Sequence, residues 1–310
     1  MSSNALTESG SAGRTGDKIF STAAMAAGSL ILFVLFCVAV FLVKESIPAL
    51  TADPADLKGG VSFFTHIGAL IVGTLIAAAI ALLLATPVAV GVALFISHYA
   101  PRRLAQSLGY VVDLLAAIPS VIYGAWGITV LAPALVPSYV WLSENAGWIP
   151  IFAGPASATG KTMLTAGIVL AVMIMPIITS LSREIFLQTP KLHEEAALAL
   201  GATRWEMVRM AVLPFARPGI VSAVMLGLGR ALGETMAIAL VLSSGPMIAS
   251  LIQSGNQTIA AEIALAFPES SGLQTNALFA AGLVLFVITL AVNMVARWIV
   301  ARHKEFSGAN

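Results

Sequence analysis

Six long apolar runs alternate with shorter polar segments along the chain. A run of about 20 residues can cross the roughly 30 Å of hydrocarbon in a bilayer as a helix, and the ten-residue alternation typical of membrane β-strands is absent from the sequence. The pattern therefore predicts an all-α membrane protein with six transmembrane helices. The predicted spans are Ile19–Val43, Ile67–Ser97, Leu104–Leu135, Thr162–Leu181, Pro218–Leu242 and Leu278–Ala296.

Some apolar stretches depart from a simple membrane crossing. The second and third runs are longer than a perpendicular helix needs and contain Pro87, Pro119 and Pro133, which predicts kinks, tilt or an end outside the bilayer. The apolar stretches of residues 243–275 are too short to span. They favour a cap or a re-entrant piece over the outer mouth.

The composition supports a membrane protein and narrows the possible functions. Of 310 residues, 58% are hydrophobic and 10% are charged, against roughly 25% charged residues in soluble domains. The formal net charge of +1 argues against a nucleic-acid partner. The single cysteine, Cys37, lies in the first apolar run and cannot form an internal disulfide, so we expect it to pack against protein or lipid.

The basic residues predict the orientation, because cytoplasmic loops carry more Lys and Arg than outer loops. Twelve of the sixteen lie on one predicted side, three lie on the other (Lys44, Lys58 and Lys161), and Arg230 lies inside a span. Both termini are therefore predicted to be cytoplasmic. The twelve are Arg14, Lys18, Arg102, Arg103, Arg183, Lys191, Arg204, Arg209, Arg217, Arg297, Arg302 and Lys304.

The first apolar run reads as an anchor that stays in the mature protein. It follows a polar tail of residues 1–18, exceeds the length of a signal-peptide core, and is not followed by an A-x-A cleavage site. We therefore predict a cytoplasmic tail at 1–18, an extra transmembrane helix at 19–43 and an outer loop at 44–65.

The sequence lacks the residue patterns of catalytic and metal sites. Its four histidines have no metal-ligand spacing, and there is no G-x-S-x-G nucleophile motif. The stretch GPASATGKT, Gly154–Thr162, resembles a phosphate-binding loop, but five residues rather than four separate its glycines. We therefore expect no catalytic residues, no metal site and no cofactor bound by this chain.

The longest predicted cytoplasmic loop contains the signals of a helical hairpin. Thr189-Pro190 predicts an N-cap followed by proline at the first helical position, and Gly201 predicts the end of that helix. Thr203 and Glu206 form a capping-box pattern for a second helix, predicted to end at Leu213-Pro214. The hairpin thus covers residues 189–214.

Three roles are open for this hairpin. It could be a passive interfacial link between spans, a DNA-reading helix-turn-helix, or a docking element for a cytoplasmic partner. Its first helix carries an apolar stripe at helical spacing. The hairpin as a whole is joined directly to two spans that could transmit motion, which favours docking. The stripe consists of Leu192, Ala196, Ala199 and Leu200.

The hairpin also resembles the EAA motif, E-A-A-x3-G-x9-I-x-L-P, of permease subunits of binding-protein-dependent ABC importers. The matching residues are Glu195, Ala196, Ala197, Gly201, Leu213 and Pro214; Ala211 stands in place of the usual isoleucine. The resemblance implies the type I permease fold over residues 66–302, with a tail at 303–310. It also implies that these residues couple the channel to a cytoplasmic ATPase.

Three further stretches resemble the permeases of the phosphate-specific ABC importer, and the PstC type more than the PstA type. They are Asp113–Gly127, Gly227–Ala237 and Ala280–Val300. The resemblance implies a bacterial inner-membrane protein that moves inorganic phosphate. It implies a PstA-type second permease, two copies of a cytoplasmic ATPase subunit that uses ATP and Mg, and an extracytoplasmic phosphate-binding protein as partners.

Arg230 and Glu234 are charges inside the fifth apolar run. Arg230 is twelve residues from both Pro218 and Leu242, about 18 Å along a helix from either end, and a charge at that depth costs roughly 2.5–3.5 kcal/mol or more. One interpretation is a structural ion pair at i and i+4. The other is that Arg230 attracts an anion in a watery path while Glu234 neutralises it when the path is empty, because guanidinium groups suit tetrahedral oxyanions.

Asp113 is a further charge in an apolar run, and three roles are open for it. It could pair with Arg230, line the substrate path, or bond to a neighbouring helix. Alternatives for the whole protein are a permease for molybdate, sulfate or phosphonate, an ion-coupled secondary transporter, and a membrane-embedded enzyme.

Overall fold

The computed structural model describes residues 10–56, 60–243, 245 and 248–304. Within this part the chain is helical and contains no strand. Six helices are long and apolar enough to cross a membrane, which confirms the predicted fold class. Residues 1–9, Lys58 and residues 305–310 of the predicted tails and outer loop lie outside the described residues.

The α-helices follow one another along the chain, with three π-helical turns between or after them. The π-turns are Phe95–Tyr99, Gly127–Leu131 and Val208–Val212. The α-helices are α1 (Gly10–Leu50), α2 (Phe63–Leu94), α3 (Arg102–Ala116), α4 (Ser120–Trp126), α5 (Ala132–Ala146), α6 (Met163–Leu187), α7 (Lys191–Ala199), α8 (Arg204–Met207), α9 (Leu213–Leu232), α10 (Met236–Val241), α11 (Ile259–Ala266) and α12 (Leu273–Lys304).

Helices α2 and α6 form the centre of the protein. Alanines at every fourth position of α2, Ala77, Ala81, Ala85 and Ala89, are almost completely buried in the main core cluster together with α6 residues. Residues four apart share one helix face, and small side chains allow two helix backbones to approach closely. The alanine face therefore explains why α2 packs along most of α6.

The third apolar run does not form the predicted span Leu104–Leu135. The helix breaks at residues 117–119 between α3 and α4, because a residue before a proline, here Ile118, is disfavoured in a helix. The candidate membrane span instead runs from Ser120 to Ala146. The separate helix α3 is amphipathic.

The fifth apolar run also differs from the prediction. The hairpin's second helix does not end at Leu213-Pro214; it continues through the π-turn into α9, giving a span of Arg204–Leu232. Pro214 sits in the first turn of α9, where its missing N–H is tolerated. The run then breaks at residues 233–235, so Pro218–Leu242 is not one continuous helix.

Helix α1 lies outside the central bundle and packs on α12. Phe41 meets Phe279 edge to face at a ring-centroid distance of 5.4 Å, and the Asn276 side chain donates to the carbonyl of Glu45 at 2.6 Å. Most of its apolar side chains are exposed in this chain. Such a surface suits contact with lipid.

At the end of α6 opposite α7, residues 248–258 pack into the protein as an irregular segment. Backbone hydrogen bonds join Leu251 to Ile151 at 2.8 Å and Leu164 to Leu251 at 3.0 Å, and Ile252 is fully buried. Asn256 adopts a positive φ of 64° and its side chain bonds both backbone groups of Ile248. The segment therefore covers this end of the bundle.

Candidate functional site

The hairpin's first helix, α7, begins one residue later than predicted. Pro190 rather than Thr189 occupies the N-cap position, and no side chain caps the helix. The Thr189 hydroxyl is buried without a hydrogen-bond partner. The predicted threonine N-cap is therefore wrong, because the extended Pro190 starts the helix at Lys191.

The turn of the hairpin has the predicted geometry. Gly201 has a φ of 86°; its N–H bonds the Leu198 carbonyl, and the Ala202 N–H bonds the Ala197 carbonyl. These two bonds form a Schellman ending, which favours glycine at the left-handed position. Thr203 and Glu206 then form the predicted capping box at the start of α8.

Helix α7 is fixed on one side and open on the other. Ala197 packs against the buried cluster that contains Met207, Val208 and Val212, while Glu195 and Ala196 are exposed. The predicted apolar stripe lies on the open side, with Leu192 74% exposed and Leu200 90% exposed. The hairpin thus presents apolar side chains that the described part of the chain leaves uncovered.

Arg230 and Glu234 do not lie on one helix. Helix α9 ends at Leu232, and Glu234 sits in the break before α10, where its Oε1 accepts a hydrogen bond from the Ala237 N–H at 3.1 Å. Glu234 is buried, with only 8% of its surface exposed, whereas Arg230 is exposed. Neither residue takes part in an ion pair of the described part of the chain. The structural ion pair at i and i+4 is therefore wrong, because the helix ends between them.

A second helix break faces this one. Gly124 of α4 lies so close to α10 that an added Cβ would stand 2.7 Å from the Ala237 Cα. Tyr123 donates a hydrogen bond to the Leu115 carbonyl at 2.8 Å across the break between α3 and α4, and it is close enough to Arg230 for an electrostatic interaction. Broken helices at membrane depth expose backbone groups that can line a path for ions or substrates.

Asp113 bonds to a neighbouring helix and not to Arg230. Its Oδ1 accepts a hydrogen bond from the Ser180 hydroxyl of α6 at 2.6 Å, and its Oδ2 lies 3.9 Å from Arg183 Nη2. Of the three roles open from the sequence, the structure shows the contact with a neighbouring helix, while the role in lining the substrate path stays a prediction. Arg183, which also meets Glu184 at 2.6 Å, had been predicted only as a cytoplasmic basic residue.

Asp113 and Arg183 line an open groove between α3 and α6. The groove has a volume of about 400 Å³ and also contains Arg102, Gln106 and Tyr110. Sequence reasoning could have found Arg183 from the polar positions 179, 180, 182, 183 and 184, which follow the long apolar part of α6. Among the described residues, no three His, Cys, Asp or Glu side chains could hold a metal ion together.

Comparisons with known proteins agree on one kind of protein. Residues 85–305 match the family described as binding-protein-dependent transport system inner membrane component. The phosphate transport system permease protein PstC 2 of Mycobacterium bovis is 49% identical over 297 residues, covering 92% of this chain and 91% of that protein. PstC of Mycobacterium leprae is 46% identical over 296 residues, covering 92% and 93%.

The fold is similar to that of solved importers. A crystal structure of the bacterial alginate ABC transporter, in complex with a periplasmic protein bound to an alginate pentasaccharide, contains a chain that matches with a TM-score of 0.61. The match covers 93% of this chain and 96% of that chain at 18% sequence identity. At that identity the similarity concerns the fold alone.

Proposed function

The chain belongs to the family of binding-protein-dependent transport system inner membrane components, and on that premise we propose that it is the permease subunit of an ATP-driven phosphate importer. The observation that supports phosphate as the substrate is the similarity of this chain, over 92% of its length, to a PstC phosphate permease. It is a multi-pass protein of the inner membrane and a transport subunit, not an enzyme. It works with ATPase and binding-protein partners, and ATP hydrolysis belongs to the separate ATPase subunits.

Helix α7 is the proposed docking element for the ATPase. Its open face carries Leu192 and Leu200, which are among the most exposed large apolar side chains of the chain, and an exposed apolar patch of this kind is typical of a protein contact. The proposed coupling residues of the hairpin are Glu195, Ala196, Ala197, Gly201, Leu213 and Pro214. The Schellman turn fixes the angle between α7 and the helix that continues into the fifth span.

The proposed assembly contains one PstA-type permease, two copies of the ATPase subunit and an extracytoplasmic phosphate-binding protein. This chain binds no cofactor in that assembly, since ATP and Mg belong to the ATPase. Arg102 and Arg183 line one groove and Lys191 lines the next, so basic residues gather at the α7 end. Because basic residues favour the cytoplasmic side, that end and both termini are proposed to be cytoplasmic.

The proposed phosphate path passes the two helix breaks. Arg230 is exposed and lacks a carboxylate within ion-pair distance in the described part of the chain, so its guanidinium is available to an oxyanion. Glu234 is buried in the break itself, and a carboxylate there can accept a hydrogen bond from the OH of hydrogenphosphate. Asp113 is proposed to act at the edge of the path through its contact with α6.

Transport by the assembled importer tests this proposal. The chain would be expressed with its permease, ATPase and binding-protein partners in a bacterium that lacks its own phosphate importers, and uptake of radiolabelled phosphate would be measured. We expect uptake that needs the ATPase and that excess sulfate, molybdate or phosphonate does not reduce. Uptake of one of these anions in place of phosphate would contradict phosphate as the substrate, but it would still support an ATP-driven importer.

A further inference from the structure

The coupling helix α7 touches a second part of the protein besides its own hairpin. The imidazole Nε2 of His98 lies 3.5 Å from the Glu194 Oε1 of α7. His98 belongs to the π-turn Phe95–Tyr99, which ends α2 and precedes α3. The contact thus joins the coupling helix to the corner between α2 and α3, with which α7 shares no direct chain connection.

The ring of His98 is held in this orientation from two sides. Its Nδ1 lies 2.7 Å from the Ser97 hydroxyl oxygen, and its edge meets the ring of Phe186 at a centroid distance of 6.2 Å and an angle of 85°. Phe186 is fully buried, so it cannot move aside without disturbing the core. A partner on one ring nitrogen fixes the direction of the other nitrogen, which here is toward Glu194.

Around this contact α7 is not tightly packed against the corner. An open cavity of about 240 Å³ lies between the two and is lined by Thr189, Glu195 and Leu198 among others. The His98 side chain is only 9% exposed and that of Glu194 23%. The contact is therefore a largely buried polar link between α7 and the α2–α3 corner, beside a cavity that separates the two.

We propose that His98 is a positioning residue of the transport cycle, which ties the coupling helix to the α2–α3 corner through Glu194. Helix α7 is covalently continuous with α6 and α9, so movement reaches those helices through the chain. The tie extends the same movement to α2 and α3. Helix α3 in turn holds α6 through Asp113 and Ser180. The proposal rests on the proposed function as an ABC importer permease.

The test measures phosphate uptake and ATP hydrolysis together in the complete importer, reconstituted in proteoliposomes with its binding protein. We expect His98→Ala to lower the phosphate moved per ATP by about 3- to 10-fold while the complex still assembles, since contacts between linked elements carry coupling of this order. Glu194→Ala should do the same, and the double variant should be no worse than either single one. His98→Gln, whose amide can still donate toward Glu194, should restore most of the ratio.

The matched control is His66→Ala, because His66 is exposed near the opposite end of α2; its ratio should equal that of the wild type. An unchanged ratio in His98→Ala, or losses that add up in the double variant, would overturn the role of His98. A wild-type importer that hydrolyses ATP without moving phosphate would instead overturn the proposed function. The two failures are therefore distinguishable.

Discussion

The carboxylate of Glu234 accepts a hydrogen bond from the backbone N–H of Ala237 at 3.1 Å. Ala237 is the second residue of α10, so Glu234 satisfies one of the N–H groups that the start of a helix leaves unpaired. A negative charge at this position also suits the helix dipole. Glu234 therefore has a local structural role in the break, whatever it does for the substrate.

Two substitutions separate the structural role of Glu234 from the role of its charge. Glu234→Gln keeps an oxygen that can accept from Ala237, so thermal stability should stay near that of the wild type, while phosphate uptake should fall about tenfold, equivalent to about 1.4 kcal/mol. Glu234→Ala should also lose about 1 kcal/mol of stability, because the buried Ala237 N–H loses its hydrogen-bond acceptor. Normal uptake by Glu234→Gln would show that the charge is not needed.

Removal of the Arg230 charge should impair transport without unfolding the protein, because the side chain is exposed and makes no ion pair with the described carboxylates. We expect Arg230→Gln to lower phosphate uptake by about tenfold or more. Uptake by Arg230→Lys should lie between that of the wild type and that of Arg230→Gln, since lysine keeps the charge but loses the bidentate geometry. Arg217→Gln, at an exposed position nearer the start of α9, is the control. Wild-type uptake by Arg230→Gln would contradict a role in the path.

Asparagine and aspartate at position 201 have nearly the same shape but differ in charge. Both tolerate the positive φ of Gly201 better than other residues do, and an added Cβ there meets no atom within 4 Å. We expect Gly201→Asn to retain the ATPase in co-purification and Gly201→Asp to weaken the association, because a negative charge opposes the dipole at the end of α7. Equal retention by both variants would mean that charge at this turn does not affect docking.

The close approach of α4 to α10 makes Gly124 sensitive to a single methyl group. Gly124→Ala would place its Cβ 2.7 Å from the Ala237 Cα, and overpacking of this kind costs typically about 1–3 kcal/mol. We expect a lower melting temperature of the purified complex together with reduced uptake. Gly91→Ala in α2 is the matched control, since its Cβ meets nothing within 4 Å; it should melt at or above the wild-type temperature.

Asp113 should affect phosphate transport through its contact with α6, and that contact can also be disturbed by displacing Arg183. A Cβ at Gly109 would overlap Nη1 of Arg183, but the end of a flexible side chain can move away. Gly109→Ala should therefore fold normally, displace Arg183 from Asp113, and reduce uptake to the same extent as Arg183→Gln. An effect of Gly109→Ala on top of Arg183→Gln in the double variant would contradict this explanation.

The sequence predicted those features that are decided locally or by the bilayer. The lengths of the apolar runs follow from the thickness of the hydrocarbon, and the Thr203–Glu206 capping box and the Gly201 turn each depend on a few neighbouring residues. The predicted start of α7 at Thr189-Pro190 was wrong by one residue, as Pro190 itself precedes the helix.

The helix breaks and side-chain contacts were harder to predict, because they depend on distant parts of the chain. Pro119 signalled a kink but not a complete interruption. Gly233, which follows α9, is a common helix-end residue, but glycine is also frequent inside transmembrane helices. The break after α9 is accommodated by α4, where Gly124 provides the space. The bond from Ser180 to Asp113 joins positions 67 residues apart, which no spacing rule can detect in a single sequence.

The alanine face of α2 has a mechanical consequence for the importer. Alanine side chains have no rotamers to exchange, so the alanine face of α2 cannot absorb a small shift at the interface with α6 by rearranging its own side chains. Displacement applied at the α7 end of α6 is then passed to α2 more directly than it would be between two faces of long side chains. With its other end against the segment that covers the bundle, the α2–α6 pair is suited to act as a lever between the two faces of the membrane.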